Sequence, residues 1–415
     1  MLGAEKNAES IVTGTWPEDN VLSSSSDSPM EMLLSLFAGQ SCWELADTRA
    51  SLGGTSSDLM RTFKCRCGNT TFFENSRCVA CDHALGWCPA CDNMTTLLST
   101  AEGKSTLQCG HQACGVTLVK CRNYTLHGVC NRCCLSENSD AKDADLCDYC
   151  RYNDTIPDLS VPGNRDMWLQ LEEAKRRLLY TLDLLKLPYG TKEEGFVPPL
   201  AFDFKADKLL QDKQWRSLGK EERVYTGHAD GKITINLREA DSVERERNRV
   251  LFQEAHRTVV GHFRHEIAHY YWQMLVQGAC ESECKAVFGD HAEPTYSEAQ
   301  KLYYEDGPKP HWQAAYISAY ATMHPWEDFA ETFATYLDMV SVLDTAWNVG
   351  IHGGCDPTSA ELPTMVDAYI RLGVVLNETN RAMGLIDLVP EILTPAVVTK
   401  LGFVHDLVRK ASLHS

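Results

Sequence analysis

RTVVGHFRHEIAHYYW, Arg257 to Trp272, decides how this chain is read, because it contains His265-Glu266-Ile267-Ala268-His269. On an α-helix, residues four apart stand above one another, so His265 and His269 present two imidazoles to one point. Glu266 lies beside them, within reach of a water on a metal held there. Zinc in such a place lowers the pKa of that water to about 7 and polarises a carbonyl, and the glutamate carries the proton from water to a leaving amine. The same residues on a solvated helix face would carry no chemistry, so the rest of the chain has to supply the other parts.

A catalytic zinc takes a third protein ligand. Pro325-Trp326-Glu327-Asp328-Phe329-Ala330-Glu331 offers two carboxylates four residues apart on one helical face, among apolar residues that imply burial. Glu327 is the expected third ligand. Glu331, one turn on, is then placed to accept the free ring N–H of a ligand histidine and fix its tautomer. The reverse assignment, Glu331 on the metal, stays open. Amide hydrolysis also needs a donor for the oxyanion, and Tyr320 is the expected one, with Tyr316 and His324 as rivals. Lys232 to Leu237 reads as an edge strand to which an extended peptide adds by its main chain. His262 reads as a core or supporting histidine.

Of the 18 cysteines, 14 fall between Cys65 and Cys150, many in CxC or CxxC pairs, which in a reducing compartment indicates metal sites. Cys65, Cys67, Cys78 and Cys81 form two close pairs across a hairpin-sized segment, the pattern of a zinc ribbon. Cys121 and Cys130 with Cys147 and Cys150 make a second set, in which Cys133 and Cys134 compete for the place of Cys130. Cys88, Cys91 and Cys114 make a third, with Cys109 or His111 as fourth ligand. Sites closed by four protein ligands hold folds together and leave no position for water.

The chain has 415 residues, 44% of them hydrophobic, enough for more than one domain. A formal charge of −18 speaks against nucleic acid and anionic membranes as partners. No secretory leader or spanning run is apparent, so a soluble cytoplasmic protein is expected, with a nuclear location also compatible. Residues 1–61, rich in Ser, Asp and Glu, read as a disordered arm with one short helical stretch from Met30 to Phe37. Residues 62–155 read as a cysteine-rich zinc-binding region. Residues 156–415 read as a mainly helical domain with a small sheet: a helix over Asp166–Leu187, a hairpin from Val224-Tyr225-Thr226 to the 232–237 strand, and helices over Ser242–Gly278, Pro325–Val349, Pro363–Arg381 and Pro395–Ala411. The fold class is therefore α+β.

FKCRCGNTTFFENSRCVACDHALGW, NRDMWLQLEEAKRRLLYTL, GKITINLREAD, the HEIAH helix, SAYATMHPWEDFAETFATYL and KLGFVHDLV together resemble the zinc-binding metallopeptidase family that carries an N-terminal zinc ribbon, over roughly Phe63 to Leu413. The resemblance implies a gluzincin-like HExxH peptidase with His265, His269 and a Glu of the EDFAE segment on zinc, Glu266 as base, and a tyrosine or histidine such as Tyr320 as oxyanion donor. It implies one catalytic and two or three structural zincs, and a peptide or protein substrate. The Cys88 to Cys114 cluster departs from the usual ribbon. A rival reading makes Cys88 to Cys114 half of a RING- or LIM-like module that binds a protein partner beside an inactive zincin domain.

Overall fold

The computed structural model describes residues 62–100, 105–136, 145–207, 224–251 and 258–413. The expected arm and its Met30–Phe37 helix lie outside them. The cysteine-rich part begins with a short antiparallel hairpin, β1 (Thr62–Lys64) and β2 (Thr70–Phe72). A five-stranded antiparallel meander follows: β3 (Leu85–Cys88), β4 (Asn93–Ser99), β5 (Leu107–Cys109), β6 (Thr117–Lys120) and β7 (Cys133–Leu135). Trp87 N–H donates to Asn131 O at 2.8 Å, so the first strand also meets the chain just ahead of the last and the sheet curls on itself.

The second part starts from β8 (Asn153–Thr155) and α1 (Asn164–Leu184). Trp168, Leu171, Leu178, Leu179 and Leu182 recur at helical spacing along α1, and all are buried. The same helix buries an ion pair: Lys175 Nζ lies 2.9 Å from Glu172 Oε2, and Glu172 Oε1 accepts from Trp168 Nε1 at 3.1 Å and from Asn153 Nδ2 at 2.6 Å. A buried charge is tolerable only with partners this complete. Here they tie β8 to α1.

Next come β9 (Ala201–Lys205), β10 (Gly227–Ala229) and β11 (Lys232–Asn236), which join β8 in a mixed sheet of order β10-β11-β9-β8. Here the structure corrects the sequence reading. The 232–236 strand is not an edge: it pairs in parallel with β9 on one side and antiparallel with β10 on the other. Its alternation of buried Ile233 and Ile235 marks a strand with one covered face, and that pattern does not reveal which strands flank it. The outer strand is β10, and the first hairpin arm is 227–229, not 224–226.

The remaining helices are α2 (Ser242–Leu251), α3 (Val259–Tyr271), α4 (Glu281–Phe288), α5 (Tyr296–Asp306), α6 (Pro325–Val349), α7 (Leu362–Ala382) and α8 (Pro395–Ser412). The helix expected to run from Ser242 to Gly278 is thus at least two, and α3 ends in a π-helical turn, Trp272–Val276. The spacing did not announce α4 and α5, which are short and present few buried residues. α3 packs between α1 and α6: Tyr271 stacks on Phe333 with ring centroids 5.4 Å apart, and Phe263 meets Phe202 of β9 at 5.9 Å. Arg264 of α3 pairs with Asp338 of α6, which also accepts from Tyr369 of α7 at 2.8 Å.

The cysteine-rich part is not a loose appendage. Tyr180 of α1 packs on Phe73 at 5.3 Å and Trp87 at 6.2 Å, and Arg176 donates to Val129 O at 2.6 Å. Cys121, Cys130, Cys147 and Cys150 belong to the same hydrophobic core as α1, α3 and α6.

The β10–β11 turn is Asp230-Gly231, with φ of 49° and 81°, the pattern of a type I′ hairpin. A Cβ on Gly231 would lie 2.2 Å from Pro199 O, whereas one on Gly163, also at positive φ (89°), would meet nothing within 4 Å. Gly163→Ala is therefore expected to cost about 1–2 kcal/mol of backbone strain alone, and Gly231→Ala several kcal/mol, about 3 or more. Denaturant unfolding of the two variants side by side checks this, and an equal loss would refute the close approach at Gly231.

Candidate active site

α3 is capped by Thr258, whose hydroxyl accepts from Gly261 N–H, and it brings His265 and His269 to one side. α6 begins at Pro325 after His324, whose Nδ1 accepts from Trp326 N–H at 3.1 Å. That start aims Glu327 at the two imidazoles. His265 Nε2 lies 3.0 Å from Glu327 Oε2, His269 Nε2 lies 3.6 Å from the same oxygen, and the two nitrogens are 3.2 Å apart. Ligands about 2.0–2.2 Å from a tetrahedral zinc stand roughly 3.3–3.6 Å from one another, so this triangle has the dimensions the ion requires.

On its other side His265 Nδ1 meets Glu331 Oε1 at 2.7 Å. An N–H held there leaves Nε2 with its lone pair toward the triangle. Burial opposes charge on His265, but the hydrogen bonds to Glu327 and Glu331 outweigh it and hold its pKa well above the ordinary value. Glu327 shows the mirror image: burial pushes its carboxyl up, and the two histidines more than reverse this. Glu266 is only 8% exposed, and burial raises its pKa in spite of the neighbouring imidazoles.

Tyr320 lies in the loop ahead of α6 with its ring centroid 6.0 Å from that of His265. Its two rivals also make contacts. Tyr316 OH accepts from Lys309 Nζ at 2.8 Å, and His324 caps α6. The sequence reading did not single out Tyr296 of α5, whose OH donates to Glu327 Oε1 at 2.8 Å and whose side chain is hydrogen-bonded to Tyr320. No spacing connects Tyr296 to either metal-ligand motif, so only the fold could bring it in. His262, one turn before Glu266, has Nδ1 2.9 Å from Glu239 Oε2. Beside the site, His228 of the outer strand β10 faces His269 with rings 6.5 Å apart, and burial pushes its pKa down to about 4.

Three sets of four thiols gather in the cysteine-rich part: Cys65, Cys67, Cys78 and Cys81; Cys88, Cys91, Cys109 and Cys114; Cys121, Cys130, Cys147 and Cys150. Sulfur separations are 3.5 Å for Cys65–Cys81, 3.7 Å for Cys67–Cys78, 3.8 Å for Cys88–Cys114, 3.9 Å for Cys91–Cys109 and 3.8 Å for Cys130–Cys147. These exceed a disulfide bond, about 2.05 Å, and match the roughly 3.8 Å edge of a tetrahedron with Zn–S of 2.3 Å. Backbone N–H groups reach Cys121 from Cys147 and Cys130 from Arg132, each at 3.3 Å. Hydrogen bonding from Cys88, against burial, pushes Cys109 down to about 5. The rival ligands lie outside the sets. His111 is exposed, with its carbonyl closing the turn to Cys114; Cys133 is buried in β7; and Cys134 donates to Asp145 O.

The family described as "Putative zinc-binding metallo-peptidase" matches residues 164–407, and a zinc-ribbon domain family matches residues 62–161. The chain belongs to this zinc-binding metallopeptidase family. It is similar to "Uncharacterized protein Rv2568c" of Mycobacterium tuberculosis and "Uncharacterized protein Mb2598c" of Mycobacterium bovis, each 36% identical over 368 residues that cover 84% of this chain and 95% of the relative. No solved structure matches it significantly. Zinc is the metal that both family descriptions name, and a peptidase implies peptide or protein substrates. Among the described residues no helix is long and apolar enough to cross a membrane.

If the metallopeptidase holds zinc at the histidine triangle and at the thiol sets separately, His265→Ala should lower the zinc content of the purified protein by one equivalent and leave the thiol-bound metal in place. Elemental analysis against protein concentration measures this. Unchanged zinc in His265→Ala would refute the assignment of that triangle.

Proposed function

We propose that this metallopeptidase cleaves peptide bonds by the gluzincin-like HExxH route, with His265, His269 and Glu327 as zinc ligands and Glu266 as general base. The observation that carries the reading is the meeting of His265 Nε2, His269 Nε2 and Glu327 Oε2 within 3.0–3.6 Å on helices that also bring Glu266 and Glu331 to the same place. Zinc bound there supplies a Lewis acid that polarises the scissile carbonyl and acidifies the attacking water.

The side chains do the rest. Glu266 accepts the proton of that water on a carboxylate oxygen and returns it to the leaving amine nitrogen. Glu331 holds the Nδ1 proton of His265, so the ring stays oriented with its other nitrogen free. Tyr296 restrains Glu327 through Oε1. Tyr320 turns its O–H toward the oxyanion that forms as the carbonyl carbon becomes tetrahedral. The substrate lies extended along the outer edge of β10, which has a strand on one side only and runs beside the C-terminal half of α3.

The three thiol sets act as closed structural sites, since four protein ligands leave no open position for a water. A reducing, cytoplasmic setting keeps these thiols free to hold metal. Recruitment of a protein partner is a second role that the exposed part of the ribbon can serve.

Glu266→Gln is expected to retain zinc and lose cleavage of an unfolded protein mixture by about 10³-fold or more. Tyr320→Phe is expected to lower kcat about 10²-fold with little change in KM, the loss typical of one oxyanion donor. Mass-spectrometric profiling of cleavage products from wild type and both variants measures these effects. Equal cleavage by wild type and Glu266→Gln would attribute the activity to a contaminant and refute the mechanism.

A further inference from the structure

One buried cation touches no proposed ligand yet joins the segments around them. Val397, Leu401, Val404 and Val408 form the buried face of α8, and Lys400 is buried among them where the helical pattern calls for an apolar residue. A buried ammonium without partners is strongly disfavoured, so its contacts show what holds it. Lys400 Nζ donates to Asp328 Oδ2 at 2.6 Å and to Ala315 O at 2.7 Å, and it lies 4.1 Å from the centre of the Tyr316 ring. Asp328 follows Glu327 in the first turn of α6 and is itself buried. Ala315 and Tyr316 open the loop that carries Ser318, whose side chain bonds Glu331, and Tyr320, which is tied to Tyr296.

We infer that Lys400 is a positioning residue for Tyr320, fixing the start of the 315–324 loop against the first turn of α6 and thereby setting where the phenol stands relative to the metal triangle. This rests on the peptidase reading with Tyr320 as oxyanion donor. The ammonium bridges a helix and a loop that the Ser318–Glu331 hydrogen bond also joins, and it does so from the C-terminal helix, far away in sequence. Lys400 holds the donor without holding the metal. A misplacement of about 1 Å is enough to cost on the order of 10² in rate, so a tie at the root of the loop is sufficient to matter.

The test compares wild type, Lys400→Met, Lys400→Met/Asp328→Asn, Tyr320→Phe and Lys400→Met/Tyr320→Phe. The Asp328→Asn partner removes the carboxylate that the first variant would leave buried and unpaired, and keeps a folded protein available. Zinc content should stay at the wild-type value in every variant. Amide hydrogen exchange over residues 315–322 should rise by about 5-fold or more in both Lys400 variants. On a fluorescent-labelled unfolded protein, kcat of Lys400→Met should fall about 10- to 100-fold with KM within about 3-fold, and adding Lys400→Met to Tyr320→Phe should cost no more than about 2-fold beyond Tyr320→Phe alone.

Unchanged exchange over 315–322, loss of zinc together with activity, or multiplicative effects of Lys400→Met and Tyr320→Phe would each overturn the proposal. Equal cleavage by wild type and Glu266→Gln would instead remove the peptidase reading and the catalytic half of this inference, while the exchange measurement still decides whether Lys400 holds the loop.

Discussion

Two imidazoles surrounded by three carboxylates set the terms for this fold. Glu327 and Glu266 are buried and Glu331 is half-buried; Glu327 meets both imidazoles, Glu331 meets His265, and Glu266 feels the charge of both rings. Carboxylates so placed repel one another and have lost much of their hydration, so the arrangement is stable only with compensating positive charge. The upward pull of Glu327 and Glu331 on the pKa of His265 expresses the same demand. A divalent cation held among the two Nε2 atoms and Glu327 Oε2 would meet it, and would leave both imidazoles neutral, the form in which they ligate.

The rest of the molecule can be understood as what holds α3 and α6 at that separation. Stacking of Tyr271 on Phe333 and the Arg264–Asp338 pair fix the two helices to each other. α1 backs them, and it is itself bound to the cysteine-rich part through Arg176, Tyr180 and the shared core around Cys121, Cys130, Cys147 and Cys150. A four-thiolate site sitting in that core makes the zinc-ribbon region part of the scaffold that positions the active site, in addition to anything it binds.

Local chemistry was readable from the chain and long-range neighbours were not. HEIAH and the EDFAE segment declare themselves because the helical repeat alone puts their side chains on one face. The thiol sets follow from pair spacing, although spacing could not choose between Cys109 and His111 or between Cys130 and Cys133. That choice depends on how the meander folds, which turns Cys109 inward at the end of β5 and leaves His111 on the surface. The 232–236 strand was recognisable as a strand but not as an interior one, because its parallel partner β9 lies 31 residues earlier in an unrelated stretch. Tyr296 and Lys400 were invisible for the same reason: each belongs to a helix that carries no metal-ligand spacing, and only the fold brings it near the histidine triangle or its flanking loop.

Diffraction from crystals of the purified protein at the zinc absorption edge tests the central claim most directly, since it locates the ion without reference to activity. The account predicts anomalous density bonded to His265 Nε2, His269 Nε2 and Glu327 Oε2 at about 2.0–2.2 Å, with Glu331 held on the Nδ1 side of His265 and off the metal. Anomalous density at the thiol sets with none in the histidine triangle, or a metal there coordinated by Glu331 in place of Glu327, would contradict it.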